Sequence, residues 1–130
     1  MELNEYQDIA MSTCMPSCKN ISYMLLNLVA EVGEFSGKLA KAIRKGQVAI
    51  GGVSPTNQNK LTIPSGPPEL DFDVLAFDEE LQKEAGDILW QFAGVCSVMG
   101  WRLENIGGGN LDKLADRERR GVIDGDGDNR

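Results

Sequence analysis

The stretch NISYMLLNLVAEVGEFSGKLAKAIRKG, residues 20–46, decides the fold. Its apolar residues Leu25, Leu28, Val29, Val32, Phe35, Leu39, Ala42 and Ile43 return every three or four positions, the step that lines one side of an α-helix. Asn20 stands where an N-cap belongs. Arg44 and Lys45 place positive charge at the negative dipole end, and Gly46 follows where a helix turns out of its spiral. Working outward, residues 78–99, DEELQKEAGDILWQFAGVCSVM, repeat the pattern through Leu81, Ala85, Ile88, Leu89, Phe92, Val95, Cys96 and Met99. This second long helix is expected to begin near Phe72 or Asp78 and to stop at Gly100. A short helix is expected over residues 3–12, ending before Pro16, which disfavours continuation. A last one is expected over residues 103–119. There Gly107, Gly108 and Gly109 each cost about 1 kcal/mol relative to alanine, so its start is open between Leu103 and Asn110.

The predicted fold class is therefore all-α, an antiparallel helical bundle with a long Gly/Pro-rich insertion between the two main helices. That insertion, residues 47–71, is expected to be an irregular loop or lid, with pairing of residues 48–53 and 61–63 into a small hairpin as the alternative. Residues 121–130, GVIDGDGDNR, are too rich in glycine and aspartate for regular structure. The 130 residues fit a single domain, with enough apolar content for one thin core, which favours burying helical faces against further copies as a homo-oligomer.

A formal charge of −7 disfavours nonspecific nucleic-acid binding and repels polyphosphate unless a cation stands between. Nothing in the chain reads as a signal peptide or a membrane span, so a cytoplasmic protein with neither nucleic-acid nor membrane partner is expected. Three cysteines and no histidine exclude histidine-assisted Ser or Cys nucleophiles within one chain, and Cys14 and Cys18 read as a local thiol pair or a metal or redox pair. Asp124, Asp126 and Asp128 imitate the start of a calcium loop, but the chain ends before the glutamate such a loop requires.

Two polar rows carry the chemistry. Asn27, Glu31, Glu34 and Lys38 form a narrow line beside the apolar side of the first long helix, and Glu80, Glu84, Asp87 and Gln91 form another on the second. One Glu-x-x-Glu pair is ordinarily a solvated face. Two such pairs on antiparallel helices, each at the border of the buried side, would repel one another unless a hard cation neutralised them. Mg²⁺ takes oxygen ligands and shares them with substrate phosphates, which suits Glu31, Glu34, Glu84 and Asp87, with Mn²⁺ as a substitute. Lys38, Lys113 and Arg117 are candidate phosphate cations, against the alternative of a solvated helix face for Lys38 and Arg117. Trp90, next to the acidic row, is the candidate base-stacking residue ahead of Trp101 and Tyr23, against the alternative of a core aromatic.

Glu31-Val32-Gly33-Glu34, then Glu84-Ala85-Gly86-Asp87 on the next long helix, with Asn110, Lys113, Arg117, Arg119, Arg120 and a terminal Gly-Asp-Asn-Arg, resembles the MazG-like nucleotide pyrophosphohydrolases of the all-alpha NTP pyrophosphatase superfamily. The resemblance spreads over most of the chain. It implies a helical bundle working as a homodimer or homotetramer and hydrolysing an NTP or dNTP to monophosphate and pyrophosphate. It implies Glu31, Glu34, Glu84 and Asp87 as metal ligands and Asn110 and Lys113 as holders of phosphate oxygens. Glu31 or Glu34 would orient or deprotonate the attacking water, and the sequence leaves the choice open. The longer spacing between the acidic pairs and the Gly107–Gly109 run depart from the family pattern. The alternative from a different class is a noncatalytic helical dimerisation module whose acidic rows are solvated or bind a cation structurally.

Overall fold

A computed structural model describes residues 1–50, 61–62 and 73–127. Its helices are α1 (Leu3–Ser12), α2 (Ile21–Arg44), α3 (Val74–Val98) and α4 (Leu103–Arg119), with a 3₁₀ turn at Pro16–Cys18. A two-residue antiparallel ladder joins β1 (Ala49–Ile50) to β2 (Leu61–Thr62), so this part of the insertion takes the hairpin alternative and not an irregular path. The remainder of the insertion, and residues 128–130 of the tail, lie outside the described residues. Described residues 121–127 form only turns and bends.

Local chemistry explains the ends of the elements. The Asn20 side chain accepts the Tyr23 amide at 2.9 Å and caps α2, while Asp73 Oδ1 accepts the Leu75 and Ala76 amides at 3.0 Å and starts α3 between the two positions expected. Both long helices end on a glycine at positive φ, Gly46 (66°) and Gly100 (72°). After each, the next amide folds back onto the last turn: Gln47 to the Ala42 carbonyl at 2.9 Å, Trp101 to that of Cys96 at 2.7 Å.

The chain divides into two compact units, Met1–Met24 with Phe92–Arg130, and Leu25–Gln91. In the first, buried Ala93, Cys96 and Leu103 form a small core against Tyr6, Met11 and Phe92. Gln7, only 1% exposed, ties three segments together. Its Nε2 donates to Ser97 Oγ and to the Trp101 carbonyl, each at 2.9 Å, and its Oε1 accepts the Leu103 amide at 2.9 Å. Each of these bonds keeps a polar group of the interior paired.

These contacts settle where α4 begins. The helix runs from Leu103 straight through Gly107–Gly109, ahead of the late start at Asn110. Gln7 accepts the Leu103 amide and Asn4 Oδ1 that of Glu104, at 3.2 Å, so α1 caps the helix that glycine alone would fray. At Gly107 a β-carbon would make only ordinary contact, 3.5 Å from Leu3 Cδ1. Arg102 adds a two-pronged ion pair to Asp8 at 2.6 and 2.8 Å, holding that carboxyl below its usual range chiefly through the hydrogen bonds.

Cys14, Cys18 and Cys96 are free thiols. Burial pushes the Cys96 thiol up, which keeps it protonated and inert. Among the described residues no helix is long and apolar enough to cross a membrane.

Candidate metal centre

The site is assembled in the second unit, where α2 and α3 lie side by side in opposite directions. Asn27 meets Gln91 near one end and Lys38 meets Glu84 further along, so ascending numbers on α2 face descending numbers on α3. That register brings the two polar rows together. One carboxylate oxygen each from Glu31, Glu84 and Asp87 lies within 4.8 Å of the others, with Glu31 and Glu84 half-buried and Asp87 exposed. Glu34, one turn along from Glu31, is exposed and stands outside this group of three.

Two oxygens on opposite sides of one Mg²⁺ are about 4.2 Å apart, because each Mg–O contact is about 2.1 Å. The three oxygens are thus close to the span of one hard cation, and the donor set, carboxylate oxygen throughout with no nitrogen or sulfur, is the kind Mg²⁺ or Mn²⁺ selects. The residues present fit such an ion.

Around the carboxylates the remaining row members fix their positions. Asn27 Nδ2 donates to Glu31 Oε1 at 2.9 Å and to Gln91 Oε1 at 3.1 Å, and Gln91 is fully buried. One amide group therefore orients Glu31 and ties α2 to α3 at once, a second layer of support for the acidic group. In the sequence both residues stand in the polar rows, but the link between them needs the register of the two helices. Lys38 Nζ donates to Glu84 Oε1 at 2.6 Å. Its pKa is raised, first by that hydrogen bond and then by the negative charge of Glu84, Glu80 and Glu34, so the ammonium is firmly charged. The Lys38 side chain is 40% exposed, with its head engaged by a carboxylate.

Beside this row an apolar cleft of about 290 Å³ opens between Phe35, Leu39, Leu81 and Ala85, with Asp78 and Gln82 at its margin. Periodicity marks those four apolar residues only as core. Trp90 is half-buried on α3. The other phosphate candidates belong to α4 in the first unit. Asn110 and Lys113 are exposed there, whereas Arg117 is 5% exposed, with Nη2 donating to the Gly127 carbonyl at 3.4 Å, so it is no solvated face.

The family model of the MazG nucleotide pyrophosphohydrolase domain matches residues 19–122, a span holding both long helices, all three clustered carboxylates and α4. The chain is 30% identical over 137 aligned residues to the Gene 37 protein of Mycobacterium phage L5, and the alignment covers all of both chains. No solved structure matches it. The general class of activity this family match supports is nucleotide pyrophosphohydrolysis. With its acidic pairs on the two long antiparallel helices inside the matched span, this chain belongs to the MazG nucleotide pyrophosphohydrolase family.

Proposed function

We propose that this protein is a Mg²⁺-dependent pyrophosphohydrolase that cleaves an NTP or dNTP at the α–β phosphoanhydride, giving the monophosphate and pyrophosphate. The observation that carries the reading is the convergence of Glu31, Glu84 and Asp87 within 4.8 Å, in a chain of this family. Three like charges at that separation are costly by themselves and become favourable when a divalent ion joins them. Such an ion, with Mn²⁺ as a substitute for Mg²⁺, supplies positive charge against the triphosphate and a readily deprotonated water.

The chain's own residues divide the rest of the work. Glu31, Glu84 and Asp87 hold the ion. Asn27 already engages Glu31, so Glu34, outside the group of three, is the better base for the attacking water and completes the ligand set only if its side chain turns inward. Lys38, beside Glu84, meets the phosphates of the bound nucleotide. Asn110 and Lys113 are assigned to the phosphate oxygens by family resemblance, Arg117 to the departing pyrophosphate as a cation, and Trp90, next to the acidic row, to the base. Self-association as a homodimer or homotetramer is part of the proposal, supported by the exposed apolar residues Leu25, Leu26 and Val29 on α2.

The test is a panel of common NTPs and dNTPs incubated with the protein and Mg²⁺, scored for pyrophosphate and repeated with a chelator in excess. Release from at least one nucleotide, abolished by the chelator, is expected. No release from any member would favour the noncatalytic dimerisation module.

A further inference from the structure

The Lys38–Glu84 pair sits inside the group proposed to hold the metal. The Glu84 side chain is sheltered, only 12% exposed, and the Lys38 ammonium lies 2.6 Å from Oε1. A divalent ion on Glu84 and an ammonium at hydrogen-bond distance from the same carboxylate would repel one another in a partly desolvated place. The two cations therefore compete. Lys38 is built to give way: its side chain is 40% exposed, and its head is a single point charge on a flexible four-carbon stem.

We propose that Lys38 is a resident counter-cation, occupying Glu84 while the metal is absent and transferred to a substrate phosphate when metal and nucleotide arrive together. The inference rests on the metal-site reading above and adds a coupling to it. Metal alone must displace the ammonium and leave it only the longer-range attraction of Glu80 and Glu34. Metal with a polyphosphate displaces it onto a new anion. Each ligand then favours the other, and by linkage the coupling is reciprocal. A site of this kind holds its metal weakly until a substrate is present.

The experiment measures binding without turnover, by electron paramagnetic resonance titration of Mn²⁺ into the full chain, alone and with a saturating α,β-methylene nucleoside triphosphate. Lys38→Met and Lys38→Gln are compared with wild type and with Arg44→Met, which removes an equal charge further along α2. Circular dichroism checks that each variant folds. Without nucleotide, both Lys38 variants are expected to bind Mn²⁺ about tenfold more tightly than wild type, a typical size for coupling between sites. Arg44→Met is expected to stay close to wild type. At saturating Mn²⁺ the sign reverses, and the Lys38 variants bind the analogue about tenfold more weakly. Equal Mn²⁺ affinity in wild type and Lys38 variants overturns the counter-cation while leaving the metal site standing. Absence of Mn²⁺ binding in every protein, wild type included, overturns the metal site itself.

Discussion

Glu31 and Asp87 come from different helices, yet one oxygen of each lies in the same group as Glu84, so neutralising either weakens a shared charge. Glu31→Gln keeps an oxygen for the Asn27 amide and Asp87→Asn keeps the shape of the side chain, so neither removes a packing contact. Each is expected to lower Mg²⁺-dependent turnover by at least about a hundredfold, in keeping with losing several kcal/mol of charge stabilisation at a metal centre. The metal-free melting temperature should hold or rise, because one source of repulsion is gone. Kinetics and thermal melts on the two variants check this, and near-normal turnover in both removes the carboxylates from the chemistry. These acids are legible in the sequence because spacing by three on a helix fixes two side chains on one face whatever else the helix touches. The Asn27–Gln91 link, the Lys38–Glu84 pair and the burial of Arg117 are not, since each depends on which residue of a distant segment stands opposite.

Among the elements, α2's first turn meets the far part of α3 closely at Gly94. Met24 is fully buried, and a β-carbon at Gly94 would stand 2.8 Å from its Cε and closer still to its Sδ. The atoms met are the far end of the flexible Met24 side chain, which lines a cavity beside Ser97 and Val98, so Gly94→Ala is expected to cost about 1 kcal/mol, the low end for overpacking, measured by urea denaturation. Met24→Ala removes a buried side chain and is itself expected to cost about 2–5 kcal/mol, but on that background Gly94→Ala should carry no penalty, and an equal penalty in both backgrounds would mean that the new methyl does not meet Met24. The Asp8–Arg102 pair between α1 and the start of α4 predicts a pH effect. Asp8 in the fold lies below its ordinary value of 3.8, so the pair's contribution is complete above that value and fades as pH falls through the lower folded one. Protection factors of α1 amides, exchange rates corrected for their intrinsic pH dependence, should therefore fall in acid in wild type, whereas in Arg102→Met they should already be lower at neutral pH. Both groups are exposed, so the effect is small and salt weakens it. Helix positions and most ends follow from periodicity, caps and glycines. The start of α4 does not, because Gly107–Gly109 argue locally against helix and only Gln7 and Asn4 of α1, far away in sequence, supply the caps that overrule them.

At the scale of the molecule, Leu26 is 74% exposed and Val29 72%, on a helix whose sequence reads as strongly amphipathic. Apolar side chains left in water beside one another are the expected signature of a face covered by another copy. The double substitution Leu26→Glu with Val29→Glu is predicted to reduce the assembly to a smaller species in sedimentation velocity, and an unchanged coefficient would place the contact elsewhere. The thin core and low aromatic content are what lead the composition to an expected assembly, but they do not say which face would serve it, because periodicity marks every apolar stripe alike. The central claim is the bond that breaks, and ³¹P nuclear magnetic resonance of one accepted nucleoside triphosphate, followed with the wild-type protein and Mg²⁺, reads it directly. The α–β assignment predicts monophosphate and pyrophosphate appearing together in equal amounts, with no diphosphate at any time. Diphosphate and orthophosphate as the first products would contradict it.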